Sequence, residues 1–113
     1  MRMYGIRNCD TVKKARAWLD ARGIDFRFHD YKISGIDPAR LNRWCEEVGW
    51  AKLLNRAGTT FRNLPEPEKA DLNWSRALAL MSAQPSLIKR PVLELDARLV
   101  VGFKPEIYQS VRW

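Results

Sequence analysis

Cys9 is the residue in this sequence best placed to do chemistry. It stands in the polar stretch Arg7-Asn8-Cys9-Asp10, between the short apolar run Met1 to Ile6 and an amphipathic segment that begins at Thr11. With the run as a strand and the segment as a helix, Cys9 falls at a helix N-terminus. Such an end presents unpaired N–H groups and about half a positive charge. A thiolate is stabilised there, and the thiolate, not the thiol, is the nucleophile. Arg7, Lys13 and Lys14 add positive charge close in sequence. The competing reading is a small buried hydrophobe, since cysteine is among the most buried residue types. The polar neighbours Asn8 and Asp10 weigh against it. A dithiol motif would place a second cysteine at position 12, where Val12 stands. A Cys-x-x-Cys cycle is therefore excluded, but a monothiol can form a mixed disulfide that an external thiol resolves. Glutathione is the natural external thiol in a reducing cytosol, and its carboxylates suit a basic pocket.

The other chemically able residues divide unevenly. Cys45 lies in the apolar stripe Leu41, Trp44, Cys45, Val48 and reads as core, with a resolving thiol as the lesser alternative. His29, the single histidine, alternates onto the polar side of a predicted strand and reads as a surface residue rather than a base. Arg90-Pro91 precedes the apolar run Val92 to Leu95. An X-Pro bond can be cis, and Arg90 could offer a planar guanidinium to an oxyanion or carboxylate; a surface arginine is the equal alternative. No cluster has metal-ligand spacing, and neither a glycine-rich phosphate loop nor a serine elbow is present.

The elements that must position Cys9 follow from periodicity. Met1 to Ile6 predicts a buried strand ending at Gly5. Thr11 to Arg22 predicts a helix with Val12, Ala15 and Leu19 on one face. Asn8 or Asp10 can cap it and Gly23 can stop it. Ile24 to His29 alternates and predicts a second strand, giving a right-handed βαβ unit with a parallel pair. Asp37-Pro38 opens a further helix that Gly49 ends. A short helical turn is expected over 51–55, irregular chain over 58–73, and a helix over 74–83 capped by Asn73. Val92 to Leu95 and Leu99 to Val101 predict a hairpin around Asp96-Ala97-Arg98, and 105–111 a closing helix. The order predicts an α/β, thioredoxin-like fold: a mixed four-stranded sheet with flanking helices and a helical insertion after the second strand.

The whole chain sets the outer bounds. Its 113 residues predict one domain, with the helical insert at about 36–86. The net charge of +7 comes from 20 Lys and Arg against 13 Asp and Glu and favours anionic partners. The basic residues are spread without a clustered stripe, so specific nucleic-acid binding is not expected. No apolar run is long enough for a membrane span, and Met1 to Ile6 lacks the apolar stretch of a signal peptide. A cytoplasmic protein is expected, without membrane association. Two cysteines are too few for a disulfide framework.

Three blocks resemble the arsenate reductase (ArsC)/Spx family: Tyr4 to Leu19 around Cys9, Pro85 to Leu93 around Arg90-Pro91, and Val101 to Glu106 around Lys104. They keep the family's order, and the resemblance runs from Met1 to Trp113, in particular to the YffB branch. It implies a thioredoxin-like fold with a helical insert, a cis bond before Pro91, and a catalytic Cys9. In arsenate reductases three arginines surround the cysteine. Arg90 matches one of them. Lys104 stands in place of the last, and Asn55 occupies the remaining column with Arg56 one place later. Lysine does not reproduce a bidentate fork. The resemblance thus implies glutathione-dependent thiol reduction, with arsenate reduction and Spx-like RNA polymerase binding as alternatives. Site residues on this view are Cys9 as nucleophile and Arg90, Pro91, Lys104, Arg56, Arg7 and Asn8 around a small anionic or thiol substrate. Glutathione is a co-substrate, with no metal or tightly bound cofactor.

Overall fold

The computed structural model describes residues 1–113. The chain resolves into two compact units, one formed by Met1–Asp30 with Arg90–Trp113, the other by Tyr31–Lys89.

The first unit holds the sheet. Strand β1 (Arg2–Gly5) leads into helix α1 (Asp10–Ala21) and strand β2 (Arg27–Asp30). β1 and β2 are parallel, with Arg2 opposite Arg27 and Gly5 opposite Asp30. Strands β3 (Val92–Glu94) and β4 (Leu99–Val101) form the hairpin, and β3 runs antiparallel to β1. The order across the sheet is β2-β1-β3-β4. This is the mixed four-stranded sheet expected, of the thioredoxin-like class. The closing helix spans only Pro105–Gln109, shorter than expected, because the chain turns off at Ser110.

One face of this sheet is covered by α1 and by the C-terminal segment. Met3, Leu93 and Val100 from the strands meet Val12, Ala15 and Leu19 from α1 and Tyr108 and Val111 from the end of the chain. The buried α1 positions are the three that the helical spacing singled out. Gly5 makes the closeness possible. A Cβ there would lie 2.9 Å from Val12 Cγ2, well inside van der Waals contact.

Two boundaries shift near the site. α1 begins at Asp10 rather than Thr11, and its N-cap is Cys9 itself, not Asn8 or Asp10. Strand β2 starts at Arg27 rather than Ile24. Ile24, Phe26 and Phe28 still pack against the core, so their alternation reported burial before it reported pairing. Gly23, at φ 67°, accepts the left-handed turn that releases the chain from α1.

The second unit is helical. It runs through Tyr31–Ser34, Pro38–Val48, Trp50–Leu53, Thr59–Arg62, Glu66–Lys69 and Trp74–Ala83, then a 3-10 turn at Pro85–Leu87. Asp37 accepts the Ala39 N–H and Asn73 the Arg76 N–H, so both expected caps are formed. The stretch 58–73, expected to be irregular, carries two four-residue helices. Each is too short to show a period in its sequence. The short turn expected at 51–55 occupies Trp50–Leu53. An antiparallel bridge between Leu54 and Ile88 ties this segment to the chain after the 3-10 turn. Asn55 donates its N–H to the Leu87 carbonyl and Lys89 donates to the Leu53 carbonyl, each at 2.7 Å.

Candidate active site

Cys9 is partly exposed and has φ −139° and ψ 124°, the extended conformation of an N-cap residue. Its carbonyl accepts the first helical N–H, from Lys13, at 2.9 Å. No side-chain oxygen caps the helix. The sulfur therefore stands where a serine or aspartate oxygen would normally accept an N–H, before a helix of 12 residues. Cys9 also packs against the core cluster beneath α1, so the turn rests on fixed structure. Val12, at the position of the missing second thiol, is fully buried.

The register of the sheet gathers the expected partners at one end. β1 ends at Gly5, beside which Arg90 lies: its Cβ is 3.7 Å from where a Gly5 Cβ would be. The Arg90–Pro91 bond is cis, and the Pro91 carbonyl accepts the Gly102 N–H at 2.8 Å. That bond holds the chain leaving β4 against the start of β3. Two residues on, Lys104 is exposed and caps the last helix, its carbonyl accepting from Ile107 and Tyr108. The turn carrying Arg7, Asn8 and Cys9, the Arg90-Pro91 pair and Lys104 thus share the end of the sheet where β1 finishes.

Arg7 is more occupied than its sequence position suggests. Its backbone N–H and its guanidinium both reach the Asp30 carboxylate, at 3.2 and 3.4 Å. Its guanidinium lies 5.5 Å from the centre of the Phe28 ring, over which Arg16 also sits at 4.4 Å. Asn8 is exposed. Asp30 is the residue that sequence reasoning missed. An acid at a strand end 23 residues from Arg7 gives no local signal.

Arg56 belongs to the helical unit and not to the sheet unit. There it lines a concavity of about 370 Å3 with Asn55 and Lys89, and no acid lines it. Its guanidinium lies 5.4 Å from the Trp50 ring centre. Cys45 belongs to the helical unit as well and is buried. Burial pushes its thiol up from the ordinary value, which suits core packing and not nucleophilic work. His29 is half-buried and tilts against the Tyr4 ring at 4.9 Å, so it is less a surface residue than expected. No group of three or more His, Cys, Asp and Glu side chains could hold a metal. No helix is long and apolar enough to cross a membrane.

The ArsC family model matches residues 4–111. The chain belongs to the ArsC family. A solved structure of a YffB protein is similar to this ArsC-family chain at 60% identity and a TM-score of 0.94, covering 96% of each chain. An uncharacterized protein of Haemophilus influenzae is 42% identical over 108 residues, which are 96% of this chain and 95% of the relative. The global transcriptional regulator Spx of Lactiplantibacillus plantarum is 24% identical over 106 residues, covering 92% and 80%. The family resemblance read from the three blocks is thereby borne out, and the fold is arsenate reductase-like.

Proposed function

We propose that this protein is a glutathione-dependent monothiol oxidoreductase that works through Cys9. The observation that carries the reading is the sulfur's place. It is the N-cap side chain of a 12-residue helix, with no oxygen competing for the free N–H groups and a buried valine in place of a second thiol.

The Cys9 thiolate attacks one sulfur of a substrate disulfide. A bond forms between the two sulfurs, and the other substrate sulfur leaves as a thiolate that takes up a proton. A glutathione thiolate then attacks the substrate sulfur held on Cys9. The Cys9 thiolate is released, and the substrate departs as a glutathione mixed disulfide, which a second glutathione reduces. The two electrons come from glutathione, and Cys9 ends as it began. A helix N-terminus offers free N–H groups and partial positive charge to an anionic sulfur. Arg90 and Lys104 bind anionic groups of glutathione or substrate, with Pro91 fixing the backbone beside them. Arg56, with Lys89, lines a basic concavity in the helical unit.

Arsenate is the weaker substrate on this reading. A tetrahedral oxyanion is best gripped by several guanidiniums, and Lys104 supplies a point charge in place of a fork. The test is glutathione-coupled reduction of a small mixed disulfide by wild type and Cys9→Ser. Turnover lost in the variant is expected, and equal turnover sinks the proposal. Arsenate offered with the same glutathione supply is expected to give no more than background.

A further inference from the structure

Asp30 is the one charged side chain that the fold buries, at 7% exposure. It closes β2, opposite Gly5, the last residue of β1. From that place its Oδ2 reaches past the strand ends to the departing chain. It accepts the Arg7 N–H at 3.2 Å and the Arg7 guanidinium at 3.4 Å. Arg7 lies beyond the ladder, so neither bond serves the sheet. Burying a carboxylate costs several kcal/mol unless pairing and hydrogen bonds offset it. Both of these bonds converge on the residue two positions before Cys9. Next along the chain come Asn8 and then Cys9, whose carbonyl starts α1. The turn is thus held at its far end by the helix and at its near end by Asp30.

We propose that Asp30 is a positioning residue for Cys9: its carboxylate anchors the Arg7 backbone and so fixes the three-residue turn that presents the sulfur. It acts through Arg7 and does not touch the reacting atoms. The inference rests on the reading of Cys9 as the nucleophile. The effect is large when geometry slips, since a displacement of about 1 Å can cost on the order of a hundredfold in rate.

The experiment is alkylation of the full chain by iodoacetamide at neutral pH, with adducts at Cys9 and Cys45 counted separately by peptide mass spectrometry. Cys45 is buried in the helical unit and reports whether that unit stays folded, while a cooperative urea midpoint reports the whole chain. Asp30→Ala lets the sulfur drift from the free N–H groups at the start of α1 and is expected to slow Cys9 about tenfold with Cys45 still protected. Asp30→Asn keeps a carbonyl oxygen for the Arg7 N–H and is expected to stay within about threefold of wild type. A Cys9 rate in Asp30→Ala equal to wild type overturns the proposal. So does Asp30→Asn falling as far as Asp30→Ala, which a hydrogen bond to the backbone does not allow. If Asp30→Ala exposes Cys45, hydrogen exchange at the Arg7 amide of the wild type decides. Slow exchange supports the anchor, and exchange at the free-chain rate refutes it. Turnover retained by Cys9→Ser would defeat the oxidoreductase reading alone, because these rates need no turnover.

Discussion

At the scale of single residues, the chain contrasts a partly exposed sulfur with a buried one. Cys9 is partly exposed at a helix start, whereas Cys45 is sealed in a helical core that keeps its proton on. Around Cys9 the positive charges also differ in kind. Arg7 is tied to Asp30 and exposed, Arg90 is half-buried at the start of β3, and Lys104 is exposed before the last helix. On the proposed function, Arg90→Ala removes a charged donor worth about 1.5–3 kcal/mol. The expected outcome is a KM for glutathione raised roughly tenfold or more, with kcat changed less. Steady-state kinetics at varied glutathione checks this; an unchanged KM would remove Arg90 from the binding role.

At the scale of elements, the junction of β1 and α1 has no slack. Gly5→Ala would press a methyl group to 2.9 Å from Val12 Cγ2, and Val12 is fully buried and cannot swing away. Overpacking of this kind costs about 1–3 kcal/mol. Urea unfolding should show a lower midpoint for that variant, and an equal midpoint would argue against so close an approach. This junction was largely legible beforehand. Val12, Ala15 and Leu19 marked the buried face of α1, and alternation from Ile24 marked a core-facing strand. The two short helices within 58–73 were not legible, because four residues hold barely one turn of any period. Among site residues, Cys9, Arg90 and Lys104 stood out through motif and position. Asp30 did not, because its link to Arg7 exists only once β2 lies parallel to β1 with Gly5 opposite Asp30.

At the scale of the whole molecule, the buried titratable groups set an alkaline limit. Burial pushes Cys45 up from 9.0 and Tyr108 well above the ordinary tyrosine range near 10.0. Below about pH 8 the folded and unfolded chains hold the same protons on these groups, and stability is insensitive to them. Above it the unfolded chain releases protons that the folded chain keeps, so stability falls as pH rises, by up to about 1.4 kcal/mol per pH unit and group. Urea midpoints at about pH 8 and about pH 10.5 measure the fall. A flat response would contradict it. The Tyr108 hydroxyl is buried without a hydrogen-bond partner. Tyr108→Phe should therefore match or exceed wild-type stability at neutral pH and lose less of it in alkali.

The uncapped start of α1 has a cost that reaches beyond chemistry. Serine is among the favoured residues at that position because its oxygen accepts an N–H of the first turn, and Cys9 makes no such bond. Cys9→Ser should then melt later than wild type, by an amount corresponding to about 0.5–1 kcal/mol. On the proposed function, the protein gives up part of its own durability to keep a reactive atom where a quiet one would hold the fold better. Calorimetry of the two proteins reads that trade directly, and a Cys9→Ser variant that melts earlier would show that sulfur is the better cap after all.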